Sequence, residues 1–247
     1  IVVLGMHRSG SSVVSSLCHG LGVNMGLKLS DGLEENIFGY EDEDFLNLNT
    51  RILNTCDSSW DLPPDPELVN QLESVYRKEI QDLIFSRDGL WGWNDPRTCF
   101  TLPLYVDYLE NPYFIRCYRN ERDMAYSLFK RNRIPLWAGL KLSRLYEERL
   151  NSFFSSNTDI KSIAIDFRNL RSDPIIVAKQ INDFLDLKLD GSQLLSAASL
   201  DEEESVVASS EEGAIGMKRL SLESVLKKIR ELYEKLLIIT GWKYRKL

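Results

Sequence analysis

The chain has 247 residues, a formal net charge of −7, 43% hydrophobic residues and 27% charged residues. This composition is ordinary for a globular protein, and the length suits one large domain with a sizeable core. The acidic balance argues against a general nucleic-acid surface, although it leaves room for one anionic ligand in a local basic pocket. No apolar run approaches membrane-spanning length, and no stretch resembles a signal peptide.

Short apolar strands alternate with helical patterns along the chain, which predicts an α/β fold with a central, mostly parallel sheet flanked by helices. The predicted strands cover residues 1–4, 89–93, 113–118 and 161–165. The predicted helices cover residues 11–21, 45–54, 67–85, 102–109, 122–130, 136–154 and 174–187, and a C-terminal helix covers 221–240. We expect a single domain over residues 1–247. Because the chain opens directly on a strand, we also expect it to be part of a longer protein.

Residues 199–216 differ from the rest in being rich in Glu, Ser, Ala and Gly. This composition predicts a mobile acidic loop. A substrate lid that orders on binding is the alternative.

The first strand leads into the sequence GMHRSGSS at residues 5–12. A strand, a glycine-bounded loop and a helix start aim backbone N–H groups at one point, where a phosphate or sulfate group can bind. Arg8 adds a fork of donors, and Ser11 and Ser12 add hydroxyls. Ser11 stands where an NTP-binding P-loop carries its Lys, so the loop predicts a P-loop-like anion site that is not an ATPase or GTPase site. A plain turn with Ser as the helix N-cap is the alternative.

A second group of basic and hydroxyl side chains follows the strand at residues 113–118. Arg119 ends this buried strand, and Ser127 lies eight residues later on the next helix. Since parallel strands present their carboxyl ends to a common ligand crevice, Arg119 is expected at the same edge as Arg8. Lys130 and Arg131, on the same helix, are more typical of a solvated face.

Together these residues resemble the sulfotransferase family, enzymes that use 3′-phosphoadenosine 5′-phosphosulfate. The segment at residues 5–12 is similar to the family's 5′-phosphosulfate loop in its bacterial His-Arg-Ser-Gly version, and Arg119 with Ser127 matches the pair that holds the 3′-phosphate. Supporting segments lie at residues 36–49, 91–97 and 166–174. The resemblance covers residues 1–187 and implies a P-loop-like three-layer fold.

The resemblance also implies site residues. The cofactor-binding residues would be His7, Arg8, Ser9, Gly10, Ser11, Ser12, Arg119 and Ser127. The catalytic residues would be Arg8, Glu41, Asp42, Asn94 and Asp95. Asn94 stands where many members have Lys, and shortened spacing after Gly39 leaves Glu41, Asp42 or Glu43 as the general base, with His7 as the next candidate.

The resemblance implies transfer of a sulfuryl group to a hydroxyl of a saccharide, lipid or small metabolite, with adenosine 3′,5′-bisphosphate as the product. In-line sulfuryl transfer resembles phosphoryl transfer but needs no metal, and the sequence offers no obvious Mg²⁺ ligand set. A P-loop-type kinase and a non-catalytic nucleotide-binding relative are the alternatives. The acceptor and the oligomeric state stay open.

Four cysteines without zinc-type spacing predict reduced thiols, buried at Cys18 and Cys117, and hence a cytoplasmic location. His19 is expected to be structural. Three tryptophans could stack on a ligand, although core packing is the more ordinary role of each: Trp60, Trp91 and Trp93.

Overall fold

The computed structural model describes residues 1–26 and 41–199. Predictions for residues 200–216 of the acidic stretch, for the helix at 221–240 and for residues 36–40 of the motif that precedes Glu41 lie outside these residues.

Four parallel strands form one sheet in the order β2-β1-β3-β4. They are β1 (Val2–Leu4), β2 (Trp93–Asn94), β3 (Tyr113–Tyr118) and β4 (Lys161–Asp166). Val3 lies between Asn94 of β2 and Ile115 of β3 in the register. The predicted α/β fold with a parallel sheet is therefore confirmed.

The helices lie between these strands or follow them. They are α1 (Ser11–Gly20), α2 (Glu43–Thr55), α3 (Pro66–Asn70), α4 (Glu73–Phe85), α5 (Thr98–Thr101), α6 (Glu121–Asn132), α7 (Leu136–Ser156), α8 (Phe167–Ser172) and α9 (Pro174–Leu185). Two 3₁₀ turns, Leu102–Leu104 and Val106–Tyr108, follow α5, and residues 191–199 are helical.

Two predicted helices differ from the structure. The run at 67–85 is split into α3 and α4, because the Leu72 N–H donates to the carbonyl of Val69, three residues back, at 2.9 Å and so interrupts the α-helical hydrogen bonds. The run at 102–109 forms two 3₁₀ turns, and Pro103 in the first of them has no N–H with which to continue the α-helix of α5.

The side chains of β1 alternate between two hydrophobic cores, one on each face of the sheet. Val2 and Leu4 join a core built with residues of α2, α4, α6 and α7, whereas Val3 joins a core with residues of α1, α8 and α9. Burial on both faces explains the unbroken apolar run at the start of the chain. The result is the predicted three-layer architecture.

The cysteines are free thiols, and Cys18 and Cys117 are buried as predicted. Burial raises the pKa of Cys18 to about 12, so this thiol stays protonated at neutral pH. Over residues 1–26 and 41–199, no helix has the length and apolar character needed to cross a membrane.

The strand order determines at which edge of the sheet a ligand crevice is expected. The chain leaves β1 for β2 on one side, and β3 lies on the other side of β1, so the carboxyl end of β1 is a topological switch point. The segments that follow the four strands meet at this edge: residues 5–10, 95–97, 119–120 and 167–168.

Candidate active site

The loop between β1 and α1 forms a tight turn. The Ser9 N–H donates to the Met6 carbonyl at 3.0 Å, and both Arg8 (φ 74°) and Gly10 (φ 95°) adopt left-handed backbone angles. A side chain at Gly10 would be strained, and its Cβ would lie 2.6 Å from Cδ2 of Phe167. Arg8 bears the same backbone strain without being glycine, which is a feature that clusters at functional sites.

The N-terminus of α1 opens toward the crevice. Its N-cap is Gly10, which offers no side-chain cap, so Ser is not the cap here. The ladder of the helix begins with the Val14 N–H, which donates to the Gly10 carbonyl at 3.1 Å, and the N–H groups of residues 11–13 take no part in it. Because the Ser9 N–H closes the turn, the N–H groups left for a ligand are those that follow it.

The structure brings the two predicted basic groups together. Nε of Arg8 donates to Oγ of Ser127 at 2.8 Å, although the two residues are 119 positions apart in the sequence. Nη1 of Arg119 donates to the carbonyl oxygen of Arg8 at 3.2 Å. Residues 8, 119 and 127 therefore form one cluster beside the N-terminus of α1.

Phe167 completes this cluster, although the sequence predicted no role for it. The guanidinium carbon of Arg119 lies 4.2 Å from the centroid of the Phe167 ring. The same ring packs against Gly10. An aromatic residue directly after a strand that ends at the crevice is the signal that could have identified it.

Glu41 lies at the other side of the crevice and is half-buried. Burial and the nearby Asp95 carboxylate raise the pKa of Glu41 to about 7, and the positive charges of Arg97 and Arg131 oppose this rise. A carboxyl group with this pKa exchanges a proton readily near neutral pH.

Asp42 has a different environment. It is buried, and its Oδ1 accepts the N–H groups of Asp44 at 3.0 Å and Phe45 at 3.4 Å as the N-cap of α2. The same oxygen pairs with the buried guanidinium of Arg87 at 3.1 Å. These contacts anchor the start of α2 and thereby the backbone next to Glu41.

Asp95 is fully buried behind Glu41. Its Oδ1 accepts from Nη1 of Arg97 at 2.8 Å, and its Oδ2 accepts from Nδ2 of Asn49 at 2.8 Å. The Asn49 amide also donates to Thr98 and accepts from two further hydroxyls, those of Thr101 and Tyr105. This set, which we call the Asn49 network, ties α2 to the segment that follows β2.

Several buried polar atoms face no protein partner among the described residues. Four of them are Nε2 of His7, Oγ of Ser9, and both Oδ1 and Nδ2 of Asn94. Buried groups of this kind are costly unless a ligand or water satisfies them. They lie on the loop after β1 and at the end of the neighbouring strand β2, beside the crevice.

His7 packs against the ring of Trp60. Its ring centroid lies 4.3 Å from that of Trp60 in an edge contact. Burial, with Arg97 and Arg8 as further causes, lowers the pKa of His7 to about 3, so its imidazole is neutral at physiological pH.

The other aromatic candidates belong to the core. Trp93 is fully buried and stacks on Phe45 with ring centroids 4.2 Å apart, and Trp91 packs beside both rings. His19 lies exposed in the last turn of α1. Over the described part of the chain, no group of three or more His, Cys, Asp or Glu side chains is placed to hold a metal ion.

A solved sulfotransferase shares this fold. The structure of a sulfotransferase from Mycobacterium avium superposes with a TM-score of 0.54 at 13% identity, over 97% of this chain and 76% of that chain. The sulfotransferase domain from the curacin biosynthetic pathway (TM-score 0.49, 16% identity, 79% of this chain and 76% of that chain) is also similar. So is retinol dehydratase in complex with androsterone and the inactive cofactor PAP (TM-score 0.45, 14% identity, 80% and 62%). No protein-family model and no curated protein sequence matches the chain.

Proposed function

We propose that this protein is a sulfotransferase that moves a sulfuryl group from 3′-phosphoadenosine 5′-phosphosulfate to a hydroxyl of an acceptor. The observation that carries the proposal is the contact of Arg8 with Ser127 and Arg119 at the open N-terminus of α1. The fold shared with the Mycobacterium avium sulfotransferase supports it.

Two anionic groups of the donor would occupy the two ends of this cluster. The N-terminus of α1, the hydroxyls of Ser11 and Ser12 and the Arg8 guanidinium would hold the 5′-phosphosulfate. Arg119 and Ser127 would hold the 3′-phosphate, which distinguishes this donor from ATP. The orientation of Arg119 is supported by the ring of Phe167 beneath it.

The transfer itself would be in line. The acceptor oxygen forms a bond to sulfur while the bond from sulfur to the bridging phosphate oxygen breaks, and the electron pair stays on the phosphate. Arg8 and the helix N–H groups are placed to stabilise that growing charge. The neutral Asn94 amide, rather than a Lys, would donate to the sulfuryl oxygens. The reaction as proposed requires no metal.

Glu41 is the carboxylate that would accept the hydroxyl proton. Its pKa of about 7 matches the requirement for a base near neutral pH. Asp42 is engaged as a helix cap and ion-pair partner. His7, with a pKa of about 3, is too weak a base to replace Glu41. Asp95 would act by holding Arg97 and raising the pKa of Glu41.

A nucleotide kinase is the main alternative, and the structure offers little for it. The loop carries Ser11 in place of Lys, and the carboxylate of Asp95 is bonded to Arg97 and Asn49. No observation favours a non-catalytic relative over an enzyme. Free thiols support the cytoplasm as the proposed location.

Thermal shift with three nucleotides tests the proposal. Adenosine 3′,5′-bisphosphate should stabilise the protein, whereas ADP, and ATP with Mg²⁺, should not. Stabilisation by ATP with Mg²⁺ alone would support the kinase. Bisphosphate binding without turnover of radiolabelled donor against any hydroxyl acceptor would support a binding module.

A further inference from the structure

The strand order gives the proposed donor a direction across the edge of the sheet. Arg119 follows β3, Arg8 and the N-terminus of α1 follow β1, and β2 lies on the side of β1 away from β3. In the proposed donor the sulfuryl group is attached to the 5′-phosphate, and the 3′-phosphate lies at the opposite end. With the 3′-phosphate at Arg119 and the 5′-phosphate at α1, the sulfuryl group therefore points toward the end of β2.

Arg97 is a cation that follows the end of β2. Asn94, the last residue of β2, pairs in register with Val3. Arg97 and the loop after β1 therefore lie at the same edge of neighbouring strands, which are about 4.8 Å apart in a sheet. The Arg97 side chain is 16% exposed, so a ligand can reach part of it. Its Nη1 donates to Asp95, whereas Nε and Nη2 donate to no residue within 1–26 and 41–199.

The Asn49 network fixes the position of the Arg97 guanidinium. Oδ1 of Asn49 accepts from the hydroxyls of Thr101 at 2.6 Å and Tyr105 at 2.9 Å, so its Nδ2 is the atom turned toward Oδ2 of Asp95. Oδ1 of Asp95 accepts from the backbone N–H of Arg97 at 3.0 Å and from its Nη1 at 2.8 Å. Both oxygens of this fully buried side chain accept from N–H groups, as an ionised carboxylate does. A buried carboxylate held in this way keeps its arginine partner in one place.

We infer that Arg97 binds the sulfuryl group of the donor, and that Asn49 and Asp95 are positioning residues for its guanidinium. The inference rests on the proposed function, because the donor sets the direction from β3 to β2. Nη1 stays on Asp95, and Nε or Nη2 donates to a sulfuryl oxygen. The neutral Asn94 amide can donate a hydrogen bond there but supplies no positive charge, whereas Arg97 supplies both.

The test is calorimetry on the whole chain with two matched ligands and no acceptor. They are 3′-phosphoadenosine 5′-phosphosulfate and adenosine 3′,5′-bisphosphate, and only the first has the sulfuryl group. Arg97→Gln should weaken the phosphosulfate about 10-fold, as expected for one charge-assisted contact, and the bisphosphate by no more than about twofold. Arg97→Lys keeps a cation beside Asp95 and thereby protects the fold. It should show the same selectivity with a smaller loss, because an ammonium does not reproduce the fork of donors.

Two further variants separate positioning from stability. Asn49→Leu should also weaken the phosphosulfate selectively, and it should add no further loss in the Arg97→Gln background. A purely structural role of Asn49 would lower the midpoint in denaturant without changing the ratio of the two affinities. Arg149→Gln is the matched control, since Arg149 is a half-buried arginine that donates to the carbonyl of Pro64 at 2.8 Å. It should leave both affinities unchanged.

The remaining outcomes overturn the inference. Equal losses of the two ligands in Arg97→Gln and Arg97→Lys would assign Arg97 to the nucleotide or to the fold, and unchanged affinities would remove it from the site. An unchanged affinity ratio in Asn49→Leu would remove Asn49 as a positioning residue. If the wild-type protein binds both ligands and the variants show no selectivity, only this inference fails. If the wild-type protein binds neither ligand, the proposed function fails, and the inference fails with it.

Discussion

The two sides of the crevice are built in different ways. On the proposed donor side, Arg8, Ser127 and Arg119 are held by two hydrogen bonds and one ring contact near the surface. On the proposed acceptor side, Glu41 lies near Asp95, which is fully buried and held by the Asn49 network. An anion site needs hydrogen-bond donors that converge on one point. A carboxylate base that works near neutral pH needs a raised pKa, which burial and a fixed neighbouring charge provide.

The acceptor side should show the largest single effect. Glu41→Gln should lower turnover by roughly 10²–10⁴-fold while donor affinity stays normal, because the amide keeps the size of the side chain but accepts no proton. The measurement is turnover of radiolabelled donor, with calorimetry of the bisphosphate alongside it.

The pH profile gives this test a second readout. The wild-type rate should rise as pH increases through about 7, because only ionised Glu41 accepts a proton, and the variant should lose this inflection. Glu43→Gln is the control and should behave as wild type. Should Glu41→Gln keep the wild-type rate, the base is assigned wrongly. Asp42→Asn should act chiefly on stability, because Asp42 caps α2 and pairs with Arg87.

The next effect falls on the donor side. Arg8→Ala should lower turnover on the order of 10²–10³-fold, since one preorganised donor at the leaving group is lost. Arg122→Ala, at an exposed position on α6, removes a charge of the same kind and should leave turnover unchanged. Wild-type turnover in Arg8→Ala would contradict the assignment of Arg8 to the leaving group.

Arg119 should affect binding more than chemistry. Arg119→Ala should weaken adenosine 3′,5′-bisphosphate by roughly 1.5–3 kcal/mol, the value of a charge-assisted hydrogen bond. Adenosine 5′-phosphosulfate, which has no 3′-phosphate, is the control ligand and should bind both proteins alike. An equal loss for both ligands would move Arg119 away from the 3′-phosphate.

The Asn49 network should contribute to the free energy of unfolding. Asn49→Ala removes the acceptor of the Thr101 and Tyr105 hydroxyls and the donor to Oδ2 of Asp95, so the free energy of unfolding should fall by roughly 1–3 kcal/mol. Asn47→Ala, at an exposed position on the same helix, should cost far less. Equal midpoints in denaturant for the two variants would show that the network contributes nothing to stability.

The parallel sheet was largely predictable from the sequence, although the strand predicted at residues 89–93 lies at Trp93–Asn94. The strand at residues 113–118 was predicted with its observed bounds, and Arg119 was placed at the edge that carries Arg8. Both predictions use local information: apolar runs mark buried strands, and parallel strands end at a common edge. The contact of Arg8 with Ser127 follows from that topology, although its atoms and distance do not.

The acceptor side could be predicted only in outline. Glu41 stood beside Asp42 and Glu43 as an equal candidate, because three neighbouring carboxylates look alike in sequence. Two contacts distant in sequence give these carboxylates different properties. Arg87, 45 positions away, donates to Asp42, and Asp95 raises the pKa of Glu41. Asn49 ends the segment at residues 36–49 that resembles the family, yet its partners come from residues 46 to 56 positions away.

The smallest expected effect concerns the contact between Phe167 and Arg119. Phe167→Leu should weaken adenosine 3′,5′-bisphosphate by about 0.5–1 kcal/mol, or roughly 2–5-fold, because a cation–π contact at a solvent-accessible site has this strength. The ring also packs against Gly10, so the variant could loosen the loop itself. A double-mutant cycle with Arg119→Ala separates the two effects. If Phe167 acts through Arg119, it should cost no affinity once Arg119 is absent. If the same loss persists in the Arg119→Ala background, the ring acts on the loop or on the ligand directly, and the donor side is then held by packing as well as by hydrogen bonds.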